Sequence, residues 1–365
     1  VSQGWGAPER IEAADRAYCL SLQLGETKHR LSLLVTLANT SLGRLECRRS
    51  LALAEQLLAL AQESGRTPYI AAGHLMMGMC LIAVGEPRAA CVHLQNGLAA
   101  LRGQIDLSLI ESPSMGTDMR VSLRLWLSCA LWLSGYADQA REHLGQALQF
   151  AEELGHPSTL AVALAMSCTV LGGMGGEIEI AGERSERLLR LADASKLPFV
   201  RPWGLFYRSW AQALSGQGIE AALQMRSILE TLRESGTLAT NLQMHCLLSE
   251  VYLRLGQVEK GLAVVASALS ESEQKEAFCF RAEMLRIKGE LLLKARPEDS
   301  NCAVACFMQA LELAQRQGAR SLELRAALGL ARLRRRQGQP AEARRILADV
   351  YARLTEGRDA PDVQE

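Results

Sequence analysis

Apolar and polar positions along this chain form a recurring pair of helical segments. An apolar segment ends in a Leu/Val-x-Gly turn, and a second segment, richer in Ala and charged residues, begins directly after it. The turn glycines are Gly43, Gly85, Gly135, Gly176, Gly218, Gly256 and Gly338. Their spacings are 42, 50, 41, 42, 38 and 82 residues, and the last equals two periods of 41. This regularity predicts a tandem array of helical hairpins.

We predict eight hairpins, and their second helices fill the gaps between the first helices. The first helices are placed near 28–42, 69–84, 118–134, 158–174, 200–216, 238–255, 277–295 and 320–337. A second glycine series marks the ends of many second helices, at Gly65, Gly103, Gly155, Gly236, Gly318 and Gly357. The spacing of 50 residues between Gly85 and Gly135 is longer than the others. We assign the extra length to an inserted loop at 104–117, because Pro113 and Gly116 interrupt the helical pattern there.

The segment before the first hairpin is predicted to be the second helix of a preceding unit. Ala13, Ala17, Leu20 and Leu24 share one helical face. We therefore divide the chain into a truncated repeat at 1–26, a superhelix at 27–357 and a tail at 358–365.

Small and large residues follow the tetratricopeptide pattern within the hairpins. Second helices carry Ala-x3-large-x2-small-Leu, as in Ala140, Leu144, Ala147 and Leu148. In first helices, Gly78, Ser249 and Gly289 hold the small position at which two helices cross closely. The predicted fold is an all-α, right-handed α-solenoid of about eight tetratricopeptide-like hairpins, with units longer than the usual 34 residues.

Composition narrows the function classes. The chain is 48% apolar but only 5% aromatic, which favours closely packed helices. Forty basic residues balance forty acidic ones, so no overall field favours nucleic acid or an anionic membrane. No run of 18 uninterrupted apolar residues occurs, and the ten cysteines fall mostly within apolar helical segments. We expect a reduced, cytoplasmic setting without membrane contact.

The sequence offers no motif for catalysis, cofactors or metals. It has no Gly-Lys-Ser/Thr of a P-loop, no His-Glu-x2-His and no Cys-x2-Cys. The glycine cluster 172–176 lies where an interhelical turn is due, and Cys302 and Cys306 are interpreted as core residues. The arginines of 332–336 are interpreted as a solvated face, with contact to nucleic acid or an acidic partner as the alternative. We expect neither catalytic residues, nor a metal, nor a cofactor.

The sequence from Arg281 onward resembles that of a known family. It reads RAEMLRIKGELLLKA and then CFMQALELAQRQGARSLELRAALGLARLRRRQGQPAEARRILADVYARLTEGRDAPDVQE. This resembles the C-terminal end of large bacterial signal-transducing ATPases of the STAND type. In that family, a P-loop ATPase precedes tetratricopeptide-like repeats, and the N-terminus carries an adenylate/guanylate cyclase or a winged-helix DNA-binding domain. The resemblance implies that the chain is the sensor end of such a protein.

First helices line the concave face of such a superhelix, so binding residues are sought there. Aromatic and arginine side chains, which are enriched in binding hot spots, concentrate in the third and fifth units. The candidate ligand- or partner-binding residues are Trp132, Trp203, Tyr207, Arg208, Trp210, Gln212, Glu250, Arg286 and Glu290. The alternative for each aromatic residue is a packing role in the core. The partner is predicted to be a protein or the chain's own upstream ATPase domain, with a small-molecule inducer as the alternative.

Overall fold

A computed structural model describes residues 8–24, 27–102, 116–216, 218–238, 241–298, 300–358 and 361–364. In these residues the helices are α1 Pro8–Leu24, α2 Thr27–Gly43, α3 Cys47–Ser64, α4 Thr67–Val84, α5 Pro87–Ala100, α6 Met119–Leu133, α7 Ala137–Leu154, α8 Pro157–Ser167, α9 Ile178–Ala194, α10 Arg201–Leu214, α11 Gly218–Glu234, α12 Asn241–Arg254, α13 Val258–Lys275, α14 Arg281–Ala295, α15 Asn301–Gln317, α16 Arg320–Arg336, α17 Pro340–Tyr351 and α18 Pro361–Gln364. A π-helical turn, Cys168–Met174, extends α8, and a 3-10 turn, Pro198–Val200, precedes α10.

The helices pair into eight hairpins, which we call units 1 to 8, from α2/α3 to α16/α17. The predicted right-handed α-solenoid is confirmed. The even-numbered helices from α2 to α16 are the first helices of the units, at the predicted places. The predicted inserted loop lies outside the described residues apart from Gly116 and Thr117.

Most of the predicted turn glycines adopt the left-handed backbone that a tight helix end requires. Gly85, for example, has φ +89°. Two positions were wrong. At the end of α2, Leu45 rather than Gly43 takes the left-handed conformation, and before α11, Gly216 does so rather than Gly218.

The glycine cluster after α8 contains the interhelical turn that the sequence predicts. Gly176 has a positive φ, and the predicted first helix 158–174 reaches Met174. The last part of that helix, through Gly172 and Gly173, is the π-helical turn. A Cβ atom on Gly172 would lie 2.5 Å from the Ala181 Cβ, and one on Gly173 would lie 2.6 Å from the Gln243 Nε2. The absence of side chains therefore lets α9 and α12 approach this turn closely.

Small residues occupy the helix crossings as the sequence pattern predicts. A Cβ atom on Gly78 would lie 2.4 Å from the Cγ of the fully buried Leu94. The ring of Phe307 in α15 is held between two such positions, 2.9 Å from a Cβ on Gly289 and 2.7 Å from one on Gly329. The first helices of units 2, 7 and 8 therefore pack against their neighbours at glycine.

The superhelix closes on itself every five units. The Leu238 N–H, before α12, donates to the Gly43 carbonyl at the end of α2, at 2.7 Å. One unit later, the Cys279 N–H donates to the Ala83 carbonyl at 3.2 Å. One unit later again, the Ser321 hydroxyl of α16 donates to the Trp132 carbonyl of α6. Units 6, 7 and 8 thus stack on units 1, 2 and 3.

Closure buries long stretches of the first helices. In α4, for example, residues 71–82 are buried apart from His74. Two first-helix segments, Thr67–Val84 and Pro157–Met174, are long and apolar enough to cross a membrane. Each is 67% buried within the protein, so packing inside the superhelix accounts for their apolar character.

The two glycines around Phe307 provide a test of the crossing geometry. We expect Gly289→Ala and Gly329→Ala each to lower the free energy of unfolding by about 1–3 kcal/mol, because the added methyl group overlaps a buried ring. Gly145→Ala is the matched control. Gly145 is an exposed residue within α7 with nothing within 4 Å of its Cβ, so alanine is expected to stabilise by about 0.5–1 kcal/mol. Urea denaturation of the three variants checks this, and equal destabilisation by all three would contradict it.

Candidate functional site

The inner surfaces of units 4 to 8 surround one cavity of about 360 Å³. Its lining combines apolar and charged side chains. The apolar side chains are Ile178, Trp210, Leu214, Leu253 and Leu328, and the charged ones are Glu250, Arg254, Arg286, Glu290, Arg325, Arg332 and Asp362. A volume of this size, with polar groups among apolar side chains, is typical of small-ligand and side-chain pockets. We call this space the inner cavity.

Arg286 of α14 is held by three carboxylates. Its Nε and Nη2 atoms donate to the two Glu283 oxygens, each at 3.0 Å. Its Nη2 also donates to Glu250 of α12, and its Nη1 lies 3.6 Å from the Glu290 Oε1. The two-pronged pair with Glu283 fixes the guanidinium plane, because a planar fork matches a carboxylate in only one orientation.

Arg325 of α16 joins four parts of the chain. Its Nη1 donates to the Glu283 Oε1 at 3.1 Å, and its Nε donates to the Asp362 Oδ2 at 2.7 Å. Its Nη2 donates to the Met174 carbonyl at the end of the π-helical turn. Its Cζ lies 5.1 Å from the centre of the Trp132 ring, in a cation–π contact. This one side chain therefore links unit 8 to units 3, 4 and 7 and to α18.

The charge on Glu283 depends on these two arginines. Burial alone raises the pKa of this carboxyl, since the side chain is only 4% exposed. The guanidinium groups of Arg286 and Arg325 outweigh burial and lower the pKa to about 2, below the ordinary 4.5. Arg325 stays protonated for the converse reason, because Asp362, Glu283 and Glu250 raise its pKa against the effect of burial. The cluster is therefore ionised at neutral pH.

Five of the residues singled out from the sequence meet here. Trp210, Glu250, Arg286 and Glu290 line the inner cavity, and Trp132 lies beneath Arg325 in a smaller adjoining space of about 10 Å³. They come from units 3, 5, 6 and 7. Closure of the superhelix brings them together.

Four other candidates lie elsewhere. Tyr207 is 1% exposed, and its hydroxyl donates to the Thr169 Oγ1 at 3.0 Å within the core shared by units 4 and 5. Trp203 is buried in the same core. Arg208 lies 3.8 Å from Glu186 of α9, and Gln212 is half-buried on α10 outside the lining of the inner cavity.

Sequence reasoning missed Glu283, Arg325 and Asp362, and its interpretation of Arg332 as part of a solvated face was wrong, because Arg332 lines the inner cavity. The position of polar residues within the repeat could have indicated Glu283. Gln243, Glu283 and Glu323 each stand six residues before the small crossing residue of their helix, and all three are buried. Each of the three has a hydrogen-bond partner. The Gln243 Nε2 donates to the Thr169 carbonyl at 3.1 Å, and Glu323 accepts from the Arg353 Nη2 at 2.5 Å. Glu283 accepts from the two arginines described above. In these three helices, a polar residue at this repeat position is therefore buried and paired.

A second cavity, apolar and about 80 Å³ in volume, lies further along the interior between units 1 to 4 and units 6 and 7. Met79, Met166 and Met174 contribute flexible thioether side chains to its wall. Met174 also borders the 10 Å³ space beneath Arg325, so the π-helical turn separates the apolar from the charged interior.

The described residues contain no group of three or more His, Cys, Asp or Glu side chains placed to hold a metal ion. Burial raises the pKa of the Cys246 thiol, beside Glu283, well above its usual 9.0, which keeps it protonated and a poor nucleophile. Of the two cysteines interpreted as core, Cys306 is buried but Cys302 is exposed on the solvent side of α15, so that interpretation was wrong for Cys302.

Comparisons with known proteins give similarity in fold alone. No protein-family model matches the chain, and no curated protein does. Among solved structures, a Rap protein complexed with competence and sporulation factor superposes with a TM-score of 0.59 at 12% identity, over 95% of this chain and 98% of that one. Aspartyl phosphate phosphatase F from Bacillus subtilis gives 0.48 at 12% identity, over 98% and 96% of the two chains.

A STAND protein with a tetratricopeptide repeat sensor, from Pyrococcus horikoshii, matches with a TM-score of 0.43 at 12% identity. The match covers 95% of this chain and 53% of that protein. The Rap superposition supports the tetratricopeptide-like superhelix described above. The two lower scores add no further argument.

Glu283 provides a test of the charged cluster. We expect Glu283→Gln to lower the free energy of unfolding at pH 7 by about 3 kcal/mol, because Arg286 and Arg325 lose the charge that compensates their burial. Since the folded pKa lies below the unfolded one, the stabilisation is complete above pH 4.5 and is lost as the pH falls toward 2. The difference in the free energy of unfolding between wild type and variant, measured by chemical denaturation, should therefore become smaller as the pH falls over that range.

Glu312→Gln is the control for this comparison. Glu312 lies 4.0 Å from Arg316 on α15, and both side chains are about 70% exposed. An exposed pair contributes little, so we expect a change below about 0.5 kcal/mol at every pH. A Glu283→Gln chain as stable as this control would show that the cluster does not compensate the buried charges.

Proposed function

We propose that this chain is a non-catalytic sensor and protein-interaction module whose inner cavity receives an effector. The observation that carries the proposal is that five successive units each contribute side chains to that one cavity. An occupant there contacts Trp210, Glu250, Arg286 and Arg325 from four different units at once. Its binding energy therefore depends on how the units are arranged.

This arrangement supports a population-shift mechanism. The helices that line the inner cavity also take part in closure, since α16 supplies both Arg325 and the Ser321 contact to α6. A ligand that fits only the closed form stabilises closure, and one that wedges the walls apart favours an open form. A shift from 1:99 to 99:1 between the two forms requires a difference in binding of about 5.5 kcal/mol.

The resemblance of the segment 281–365 to STAND-type ATPases supports a specific setting for this module. In that setting the repeat region controls an upstream ATPase and an output domain, either a cyclase or a winged-helix DNA-binding domain, in bacterial cytoplasmic signalling. The partner is then a protein or the chain's own ATPase domain. The neutral net charge supports neither membrane nor nucleic acid as the partner.

A small-molecule inducer is the second candidate, and the walls of the inner cavity favour it. Apolar side chains such as Trp210 and several charged groups in one lining suit a compact ligand that stacks on an aromatic ring and forms hydrogen bonds to the charged groups. A stand-alone adaptor without an ATPase is the remaining alternative. The reading frame upstream of the Val1 codon distinguishes it, because the adaptor lacks a P-loop there.

Thermal-shift screening against a metabolite panel tests the inducer form. A ligand at 100 times its dissociation constant adds about 2.7 kcal/mol of stability, so the melting temperature should rise by several degrees. Glu290→Gln should reduce that rise, because Glu290 lies on the cavity wall with only longer contacts, 3.6 Å to Arg286 and 3.6 Å to Arg332. Glu259→Gln, an exposed change on α13, should leave it intact.

If no metabolite raises the melting temperature, the inducer form is wrong. The protein form is then tested by measuring ATP hydrolysis of the full-length gene product with and without the Glu290→Gln change. An unchanged rate, together with no capture of the ATPase portion by the repeat chain, would contradict regulation through the inner cavity.

A further inference from the structure

The segment after α17 is not needed to complete any hairpin, yet it is bound to the interior. It first passes unit 3, where Glu356 accepts from the Gln139 Nε2 at 2.9 Å and the Gly357 N–H donates to Asp138 at 3.0 Å. It then places α18 against α16, with Asp362 on Arg325. We call residues 352–358 together with α18 the tail, which begins earlier than the tail of 358–365 predicted from the sequence.

Arg325 presents a single donor edge to the tail. Glu283 and the Met174 carbonyl hold its two Nη atoms, and the Trp132 ring lies against its face. The remaining Nε atom donates to Asp362. A guanidinium fixed on three sides and buried to 16% exposure is a preorganised receptor for one carboxylate oxygen.

An aliphatic side chain accompanies this carboxylate. Val363 packs on Leu324, Leu328 and Val350, in the apolar cluster between α16 and α17. The tail thus inserts an acidic residue followed by an aliphatic one. The acidic residue contacts the arginine, and the aliphatic residue covers the apolar surface next to it.

The inner cavity still has space beyond the tail. Its four arginines are balanced by Glu250, Glu290 and Asp362 of the lining together with Glu283 behind it, so the formal charge is zero. Withdrawal of Asp362 leaves an excess of one positive charge. A replacement occupant is therefore favoured if it is acidic.

We propose that the inner cavity and the apolar cluster beside it recognise an acidic peptide segment of a partner protein, with an aspartate or glutamate next to an aliphatic residue. Asp362 in the cavity and Val363 on the cluster are then a displaceable stand-in for that segment. This rests on the proposed interaction function and names its ligand class. A tethered segment competes at an effective concentration of about 1 mM, so the tail sets a threshold that the partner must exceed. Displacement also frees the tail contacts to unit 3 and so weakens closure.

The test uses the full chain and a fluorescein-labelled peptide, Arg-Asp-Ala-Pro-Asp-Val-Gln-Glu, which has the sequence of residues 358–365. Fluorescence anisotropy is measured with the wild type, Asp362→Asn and Asp349→Asn. Asp349 is an exposed aspartate on α17, so its variant makes the same charge change away from the cavity. We expect Asp362→Asn to bind the peptide at least about tenfold more tightly than the other two, because its own tail competes less well.

A peptide with Asn in place of the aspartate that corresponds to Asp362 should lose most of its affinity for the variant. Val363→Ala also weakens binding of the tail, but it leaves the charge of Asp362 unchanged. This variant should bind the labelled peptide with an affinity between those of the wild type and Asp362→Asn. Circular dichroism and melting curves confirm that each chain is folded before binding is measured.

Equal affinity for all four chains, or no loss with the Asn peptide, would overturn the proposal. Displacement of the labelled peptide by succinate as readily as by unlabelled peptide would also overturn it in favour of a small dicarboxylate ligand. Neither outcome affects the interaction function itself, which fails only if no effector stabilises the chain and no ATPase portion binds it.

Discussion

The stacking of each unit on the unit five places earlier is the contact on which the rest of the structure depends. It is made by backbone groups at the start of one first helix and the end of another, as between Leu238 and Gly43 and between Cys279 and Ala83. Because these two contacts are backbone hydrogen bonds, they depend little on the local side chains. Between units 8 and 3, the Ser321 hydroxyl donates to the Trp132 carbonyl at the corresponding place. They turn the concave face of an open solenoid into an interior, so first helices such as α4 are buried on every side.

An interior of this kind makes charged residues costly unless they are paired. Glu283 and Arg286 pair within unit 7, Arg325 joins Glu283 from unit 8, and Glu250 joins Arg286 from unit 6. Removal of any one member leaves a buried charge without compensation, which costs more than the pair contributes. The cluster therefore fixes how units 6, 7 and 8 sit together, and it makes the same arrangement sensitive to any carboxylate that competes for Arg325.

Much of the helical organisation could be predicted because its physical causes are local. A glycine with positive φ ends a helix wherever it stands, so Gly85, Gly135 and Gly256 marked real ends. The exceptions arose where another residue met the same need, as Leu45 did. Glycine also serves a different purpose, since Gly172 and Gly173 admit neighbouring helices to the π-helical turn. A glycine does not reveal in sequence which of these reasons applies.

The candidate site was predictable only in part, for a related reason. Glu250, Arg286 and Glu290 were found because the repeat offset places them on first helices, and that offset is a property of one hairpin. Tyr207 and Trp203 satisfied the same criterion, but packing between units 4 and 5 covers both. Whether an aromatic side chain packs against a neighbouring unit or points toward the axis of the superhelix depends on the crossing angle of two helices.

The sequence by itself determined that this chain is a tandem array of helical hairpins and where most of the helices lie. It also determined that the chain lacks the motifs of an enzyme. These features could be predicted because periodicity, capping and residue chemistry act over a few turns of helix. Only the tertiary structure decided that five units complete a turn. That number places Arg325 of the last unit against Trp132, Met174 and Glu283, up to 193 residues away. Small rotations at each hairpin accumulate to set it, and no single segment of sequence records their sum.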